Sequence, residues 1–493
     1  MDQRISILVC TSLAGRAAWI AHFETCGTVS VVGAASAQNA EHLRVAVTGG
    51  LWDVTFAFGP EEVGNLSPTS PFDVWSLDLQ TDWLPRILKI LQNDQRDWNR
   101  KLPHPCKVLV MSLDRTATTR EILEFGRLGI GAVIYPGSEE TLQQALVRLS
   151  APAPAGKTAL CLAGGGIEGL IYEVGVLRAL DDMLPGQGIL DFDIYCGISA
   201  GAIIASVLAN RVPPVEITRA FMQDSTMMSG IKPWMLFDFA TRDIKSRLAS
   251  LIWDRGYDDG VLSILAGSVP NAFFMGDNIE KVLESFFSEQ GRTNSFHQLE
   301  KELYVGATDQ DTSEHVVFGG LGWRDVPISR AVHASMALIP FYAPQYVAGR
   351  WFIDGSFTRT SEMEIAIAKG ATLIVIVDPL VPIRAQRSGT VRGRGGVYAG
   401  IQGLKALVNT RFLGGLPSLM TAHPEVDFLV FMPEEEDMLM MSGSPLRYRY
   451  RMEIERVAYA AARSRLRNDW SRVKPVLLRH GLNPRDPETP DLS

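Results

Sequence analysis

The sequence predicts an α/β fold built as two successive units with mainly parallel sheets. Three observations carry that prediction. Short Val-, Ile- and Leu-rich runs alternate with amphipathic helical stretches, the pattern of strands linked by helical crossovers. The stretch APAPAG at 151–156 interrupts the alternation and reads as a semi-rigid linker. The alternation restarts at Lys157, and two of its strands run directly into glycine-rich turns.

Composition bounds what such a protein does. The chain has 493 residues, more than one ordinary domain. Its 46% apolar and 21% charged content is that of a soluble globular protein. A net charge of -8 argues against general attraction to nucleic acid or anionic lipid, and leaves a local basic patch open. Cys10, Cys26, Cys106, Cys161 and Cys196 are odd in number and form no CxxC pair or Cys/His cluster. A disulfide framework and a metal site are therefore not expected, and a reducing, cytoplasmic setting fits. The N-terminus MDQRISILVC lacks a basic segment followed by a long apolar run, and no stretch reaches about 18 uncharged apolar residues. The expected organisation is a first α/β domain at 1–150, a linker at 151–157, a second α/β core at 158–380 and a loop with a helical extension at 381–493.

In the first unit Ile5–Cys10 reads as a strand, 13–24 as a helix and Val29–Gly33 as a second strand. Val54–Phe58 and Val74–Leu77 are further strand candidates. Lys107–Met111 is a strand, 117–127 a helix and Ala132–Tyr135 a last strand. Residues 138–149 read as a helix capped by Ser138, with acids in its first turn. This is a five-strand doubly wound pattern. The run GIGAVIYPGSEETLQQALVRL resembles the closing segment of response-regulator receiver domains, and the resemblance covers roughly residues 3–150. It implies a smaller receiver-like α/β domain without its chemistry. Cys10, Thr11 and Ser12 stand where an acidic pair should bind Mg²⁺, and Tyr135 stands where a lysine belongs. Ser112 matches the hydroxyl position. The phosphoacceptor position falls on Asp78 or on Phe58, depending on which strand is the third. Phosphotransfer should fail, leaving dimerisation or regulation as the open roles, including a homodimer through this domain. A plain accessory domain is the equal alternative.

In the second unit Thr158–Ala163 is a buried strand, GGGIEG at 164–169 follows, and a helix runs to about Leu180. Phe192–Cys196 is a strand ended by GISAG at 197–201, followed by a helix to about Ala209. Strands are expected at 302–308, 314–319 and 372–377, a Gly/Arg-rich loop at 384–396 and a charged helix at 446–470.

GISAG has the spacing of a nucleophile elbow, in which a strained strand-to-helix turn exposes Ser199. Gly197 and Gly201 leave room for that turn, because a Cβ at either would strike the neighbouring strand or helix. GGGIEG opens a helix after a buried strand. Backbone N–H groups of Gly164, Gly165 and Gly166 can approach a tetrahedral oxyanion, and one such donor contributes roughly 3 kcal/mol. The same spacing, with Gly166 and Gly169, also fits a dinucleotide loop. Asp191 and Asp193 lie before or within the next strand, not at its end where a ribose carboxylate sits, which counts against that reading. WFIDGSF at 351–357 delivers Asp354 on a short apolar run, and Gly355 permits the turn after it. A buried carboxylate with a raised pKa can serve a serine as its base.

Together the three motifs resemble the patatin-like phospholipase family, over roughly residues 158–380 and more loosely to about 470. The stretch AVHASMALIPFYAPQYVAGRWFIDGSF, followed by AKGATLIVIV, resembles that family's segment around its aspartate. The resemblance implies a three-layer α/β/α sandwich and a Ser–Asp dyad without histidine, cofactor or metal. Carried over, Ser199 attacks the acyl carbonyl and Asp354 handles the proton. Amides of Gly164, Gly165, Gly166 and Ala200 hold the oxyanion, with Gly169, Gly197, Gly201 and Gly355 as motif glycines. Three departures stand out. Glu168 occupies a position that is often basic and should weaken binding of an anionic headgroup. Ser356 replaces Gly or Ala, and the proline of the ASxAxP segment comes one place late, at Pro340.

The implied activity is a carboxylic-ester acyl hydrolase of phospholipid or lysophospholipid type, meeting the membrane peripherally from the cytoplasm, with no nucleic-acid partner. A lipid acyltransferase or neutral-ester hydrolase with the same dyad, and a catalytically silent regulatory scaffold, are the alternatives. A Ser–Asp–His triad would need His423 or His480, both expected at the surface, while His333 suits packing. Residues 227–239 and 438–441, rich in Met and aromatics, suit an acyl channel, a lid or plain core. Arg384, Arg387, Arg392 and Arg394 suit phosphate headgroups or a solvated loop.

Overall fold

The structure, a computed structural model, describes residues 3–12, 15–34, 41–47, 50–58, 74–82, 84–86, 88, 108–127, 130, 132–138, 140–150, 156–184, 188–222, 224–228, 272, 274–385, 387–423, 425–434 and 450–485. The stretch expected at 227–239 falls outside these residues from 229 onward. The run at 438–441, the linker at 151–155 and the chain end from 486 also fall outside them. The chain divides into two compact units, Met1–Pro154 with Leu413–Glu425, and Ala155–Phe412 with Val426–Ser493.

The first unit contains β1 (Gln3–Cys10), α1 (Arg16–Cys26), β2 (Gly27–Ala34), β3 (Glu41–Val47), β4 (Gly50–Ala57), β5 (Val74–Asp78), β6 (Val108–Met111), α2 (Thr119–Arg127), β7 (Ala132–Ile134) and α3 (Leu142–Ser150). They form one sheet in the order β2-β3-β4-β1-β5-β6-β7. From β4 to β7 every pairing is parallel, so these five strands form the expected doubly wound core. Alternate β1 side chains serve its two faces. Ile5, Ile7 and Val9 pack with Trp19 and Phe23 of α1, whereas Leu8 and Cys10 pack with Phe125 of α2.

Two expectations are corrected here. The strand foreseen at Val29–Gly33 is not the second parallel strand. It pairs antiparallel with β3, which pairs antiparallel with β4. In β3, Leu43 and Val45 are buried while Arg44 faces out to pair with Asp53 at 3.0 Å, the alternation of a half-buried strand. The cap of α3 is Thr141, not Ser138. The Gln144 N–H donates to Thr141 Oγ1 at 3.3 Å, and the Thr141 N–H donates to Gln144 Oε1 at 3.0 Å, a reciprocal capping box.

Phe58 follows β4, and Asp78 ends β5 beside β1. Its carboxylate is already engaged. Thr11 Oγ1 donates to Oδ2 at 2.6 Å, Trp19 Nε1 donates to Oδ2 at 3.1 Å, and the Gln80 N–H donates to Oδ1 at 3.0 Å.

The second unit contains β8 (Lys157–Leu162), α4 (Gly166–Met183), β9 (Ile194–Ile198), α5 (Ala200–Ala209), α6 (Pro214–Met222), α7 (Asp277–Phe287), β10 (Glu302–Asp309), β11 (His315–Phe318), α8 (Ile328–Ser335), β12 (Gln345–Val347), β13 (Arg350–Asp354), α9 (Met363–Ala368), β14 (Ala371–Val377), α10 (Gly396–Ala422), β15 (Asp427–Phe431), α11 (Arg451–Asn468) and α12 (Trp470–Arg479). The sheet order is β12-β13-β10-β9-β8-β14-β15, with β11 beside β10. From β10 to β15 the five strands are parallel, which explains why β9 and β14 read as nearly continuous apolar runs. Helices cover both faces. Leu303, Val305 and Ala307 of β10 join a core with α4, α5 and α8. Between them, a Cβ at Gly306 would meet Glu362, at the head of α9, from the opposite face. This is the expected three-layer sandwich.

Register positions the site. Ile198 ends β9 opposite Gly306, and the next β10 residue, Ala307, pairs with Asp354 of antiparallel β13. Ser199 and Asp354 therefore lie level, at the carboxyl edge of the parallel strands, where open α/β sheets bind ligands.

Candidate active site

Ser199 sits between β9 and α5 with φ 55 and ψ -121, a backbone conformation that a non-glycine residue holds only under constraint. The constraint is visible on both sides. A Cβ at Gly197 would lie 2.4 Å from the Gly201 carbonyl oxygen, and one at Gly201 would lie 2.5 Å from that of Ala163. The elbow is thus wedged between β8 and α5. The Ser199 N–H donates to Ser335 Oγ at 2.8 Å, and that hydroxyl donates to the Gly306 carbonyl at 2.6 Å. The Ser199 amide is thereby occupied, and other amides must face any oxyanion.

Two helix starts nearby offer such amides. The first N–H groups of a helix have no intrahelical acceptor, and α4 begins at Gly166 while α5 begins at Ala200. Gly166, Ala200 and Ser199 line one cleft. Gly164 lies directly against Ser199, since a Cβ there would be 3.2 Å from Ser199 Cβ and 2.5 Å from Ser356 Oγ. The rest of the cleft is apolar and includes Ile167, Leu170, Ile203, Met336, Leu338 and Phe341. Such walls suit a hydrocarbon chain and present only the polar atoms nearest the serine.

Asp354 is fully buried. Its Oδ1 accepts the Ser356 N–H at 2.8 Å, while Oδ2 is sealed from solvent and takes no hydrogen bond of ordinary geometry among the described residues. Burial raises its carboxyl above the ordinary range. The Ser199 hydroxyl draws it back most, ahead of the Ser356 N–H and hydroxyl. Thr308 Oγ1 donates to the Asp354 carbonyl at 3.0 Å and joins a chain through Thr358 Oγ1 (2.8 Å) and His315 Nδ1 (2.7 Å) to Glu362, 2.5 Å from His315 Nε2. A Cβ at Gly355 would strike the Gly306 carbonyl oxygen at 2.4 Å, so β10 and the Asp354 turn are in close backbone contact.

The histidines are elsewhere. His333 packs as expected, with Nδ1 2.5 Å from Glu280 Oε2 and Nε2 3.0 Å from the Met275 carbonyl. The surface placement expected for His480 is corrected. Its ring is buried, with Nε2 2.7 Å from Asp427 Oδ2 and Nδ1 3.3 Å from Thr372 Oγ1. Both partners begin or nearly begin their strands, so His480 lies at the opposite sheet edge from Ser199. His423 pairs with Glu425 at 3.1 Å. Among the described residues no histidine bonds Ser199 or Asp354.

Three functional supports were missed in the sequence. Arg411 of α10 donates to the Ser356 and Phe357 carbonyls at 2.7 and 2.9 Å, clamping the turn after Asp354. Ser335 anchors the elbow, as above. The third is a buried charge cluster behind the glycine loop. The expectation that Glu168 weakens headgroup binding is corrected, because Glu168 is only 1% exposed and does not line the cleft among the described residues. Burial pulls Lys405 of α10 down, and Glu168 and Asp378 pull it back up. Asp378, just past β14, is pushed up to about 6 by burial, against the Leu380 N–H, Lys405 and Arg411. Its Oδ1 accepts that N–H at 2.9 Å, which shapes the turn carrying Pro379. Pro379 in turn lies where Cβ atoms on Gly165 and Gly169 would be, at 2.6 and 2.9 Å.

Residues 160–367 match the family model described as patatin-like phospholipase. A curated relative, a cGAMP-activated phospholipase of Pseudomonas aeruginosa (strain BWHPSA011 / Pa011), is 36% identical over 73 residues, 15% of this chain and 22% of that protein. The chain therefore aligns with about a fifth of that relative's length. Among solved structures, VipD from Legionella pneumophila is similar with 16% identity, covering 64% of this chain and 67% of that one, at a TM-score of 0.33. Full-length ExoU in complex with SpcU, from Pseudomonas aeruginosa, is similar with 15% identity, covering 67% and 65%, at a TM-score of 0.23.

Proposed function

From a patatin-like phospholipase domain at residues 160–367, we propose that this chain is a serine acyl hydrolase cleaving carboxylic esters of phospholipids or lysophospholipids through Ser199 and Asp354. The observation that carries the reading is a strained elbow serine set level with a fully buried carboxylate, Asp354, whose Oδ2 has no hydrogen-bond partner among the described residues.

The Ser199 hydroxyl proton passes to Asp354 as Oγ bonds the acyl carbonyl carbon. The carbonyl oxygen becomes an oxyanion, which the amides at the starts of α4 and α5 stabilise, Gly166 and Ala200 first among them. When the intermediate collapses, the bond to the alcohol oxygen breaks and Asp354 returns its proton to that oxygen. A water then gives its proton to Asp354 and its oxygen to the acyl carbon. Ser199 recovers its proton and the fatty acid leaves. The apolar cleft holds the acyl chain throughout.

Fluorophosphonate labelling of the full chain tests this. Wild type should be labelled and Ser199→Ala should not; an unlabelled wild type sinks the reading. Mass spectrometry of lipids released by wild type, with Asp354→Ala as control, then identifies the ester.

A further inference from the structure

We propose that His315 is a positioning residue for the active site, holding the Asp354 backbone level with Ser199 through Thr358 and Thr308, with Glu362 as its own support. The proposal rests on the acyl-hydrolase reading for the chemistry that this placement serves.

Strand β10 holds the backbone of both Ser199 and Asp354. Its Gly306 carbonyl accepts the Ser335 hydroxyl, whose oxygen accepts the Ser199 N–H. Two residues on, Thr308 Oγ1 donates to the Asp354 carbonyl at 3.0 Å. The residue directly opposite Thr308 in antiparallel β11 is His315, so the two side chains share one face of the sheet. Thr358, from the turn after Asp354, bridges them. Its Oγ1 lies 2.8 Å from Thr308 Oγ1 and 2.7 Å from His315 Nδ1. Glu362 closes the row, with Oε1 2.5 Å from His315 Nε2. Gly306 leaves room for that end, since a Cβ there would strike Glu362 Oε1 and lie 3.0 Å from His315 Cε1.

Counting protons gives the row a direction. Its four contacts, from the Asp354 carbonyl to Glu362, need one proton each. The carbonyl has none, so Thr308 donates to it and accepts from Thr358. Thr358 has then spent its proton and accepts from His315 Nδ1. Each threonine supplies one proton, so His315 and Glu362 together supply two, one more than a neutral imidazole beside a carboxylate carries. The Gly355 carbonyl, 3.3 Å from Thr358 Oγ1, competes for the same supply. With His315 truncated, nothing turns the Thr358 proton toward Thr308, and the hold on Asp354 loosens. The His315 and Glu362 side chains are only 14% and 5% exposed, so water reaches them poorly as a substitute.

Two measurements on the full chain test the proposal. The first is backbone hydrogen exchange over residues 354–358, read by mass spectrometry. His315→Ala and Thr308→Val should each speed exchange there about tenfold and leave α4 and α5 as in wild type. Thr308→Val keeps the side chain's shape and removes only the hydroxyl, so it reads the same hold where His315→Ala folds poorly. Glu362→Ala should follow His315→Ala. Glu362→Gln should stay near wild type, because its amide can donate to Nε2 and supplies the missing proton without charge. The second is hydrolysis of a short soluble ester. His315→Ala and Thr308→Val should each lower kcat about tenfold with KM within about twofold, and the double variant should be no slower than the slower single. Wild-type exchange in both single variants, or losses in kcat that multiply in the double variant, overturns the proposal. Wild type that hydrolyses no ester would count against the catalytic reading, while exchange still decides whether His315 holds Asp354.

Discussion

Arg411 donates to the carbonyl oxygen of Ser356 at 2.7 Å, and so ties α10 to the turn that begins at Asp354. The second guanidinium nitrogen reaches Phe357 at 2.9 Å, which makes the contact a two-pronged clamp. A base that must meet a serine hydroxyl tolerates little displacement, because a shift of about 1 Å costs up to 10²-fold in rate. Arg411→Ala should lower kcat on a soluble ester by about ten- to a hundredfold and leave KM within about twofold. Arg411→Lys should restore little, because an ammonium lacks the planar fork. Equal kcat per folded molecule in all three proteins would reduce Arg411 to a structural support.

Asp354→Asn isolates the chemistry from the shape. The amide oxygen can still accept the Ser356 N–H, yet the group can no longer take a proton. We expect kcat to fall by about 10⁴ with little change in KM. The melting temperature should hold or rise, because a fully buried carboxylate is replaced by a neutral group. Steady-state kinetics alongside a thermal melt separates the two effects.

The pH dependence has a definite sign. Asp354 must be ionised to act as base, and burial raises its carboxyl above the ordinary range. The acid limb of kcat/KM should therefore lie above about 4, the unperturbed carboxyl value. The Ser356 hydroxyl is among the groups that lower Asp354, so Ser356→Ala should move the limb to higher pH. A limb that stays put or moves down would show that another group sets it.

Ser335 connects Ser199 to β10. Removing its hydroxyl leaves the Ser199 N–H and the Gly306 carbonyl without this shared partner in a buried site. Ser335→Ala should cost about 1–3 kcal/mol of stability and lower kcat, while Ser335→Thr keeps the hydroxyl and should recover part of both. Chemical denaturation followed by kinetics on the folded fraction gives the two numbers.

What was legible in the sequence was local. Ser199, Asp354 and the glycine loop each sit in a run of a few residues whose backbone geometry demands glycine, as the contacts around Gly197, Gly201 and Gly355 show. The parallel strands were legible because burial on both faces leaves unbroken apolar runs such as TLIVIV. Strand β3 was not foreseen, although its antiparallel partners β2 and β4 flank it in the chain, because its half-buried run EHLRVAV sets Arg44 between Leu43 and Val45 and has no unbroken apolar stretch. Helix α10 was hidden by Gly400, Gly403, Gly414, Gly415 and Pro417, which suppress both helix propensity and an apolar stripe. With that helix unseen, Lys405 and Arg411 had no visible route to the site. His480 looked peripheral near the chain end, and only the sheet brings Asp427 and Thr372 to its ring.

Asp378 supplies the last prediction, and its outcome is a stability curve. It is fully buried, and its folded value of about 6 lies above that of an unfolded aspartate. The native state therefore binds a proton more tightly than the unfolded chain. The stability this contributes is whole below the unfolded value, near 4, and is lost as pH rises through about 6. A difference of about two pKa units corresponds to roughly 3 kcal/mol, shared with whatever Asp354 adds in the same direction. Asp378→Asn keeps an acceptor for the Leu380 N–H and removes the titration. Melting temperature followed from about pH 4 to pH 7 should fall in wild type and fall less in the variant. Parallel curves would mean that Lys405 and Arg411 hold Asp378 ionised throughout, and that the support behind the glycine loop is a persistent ion pair.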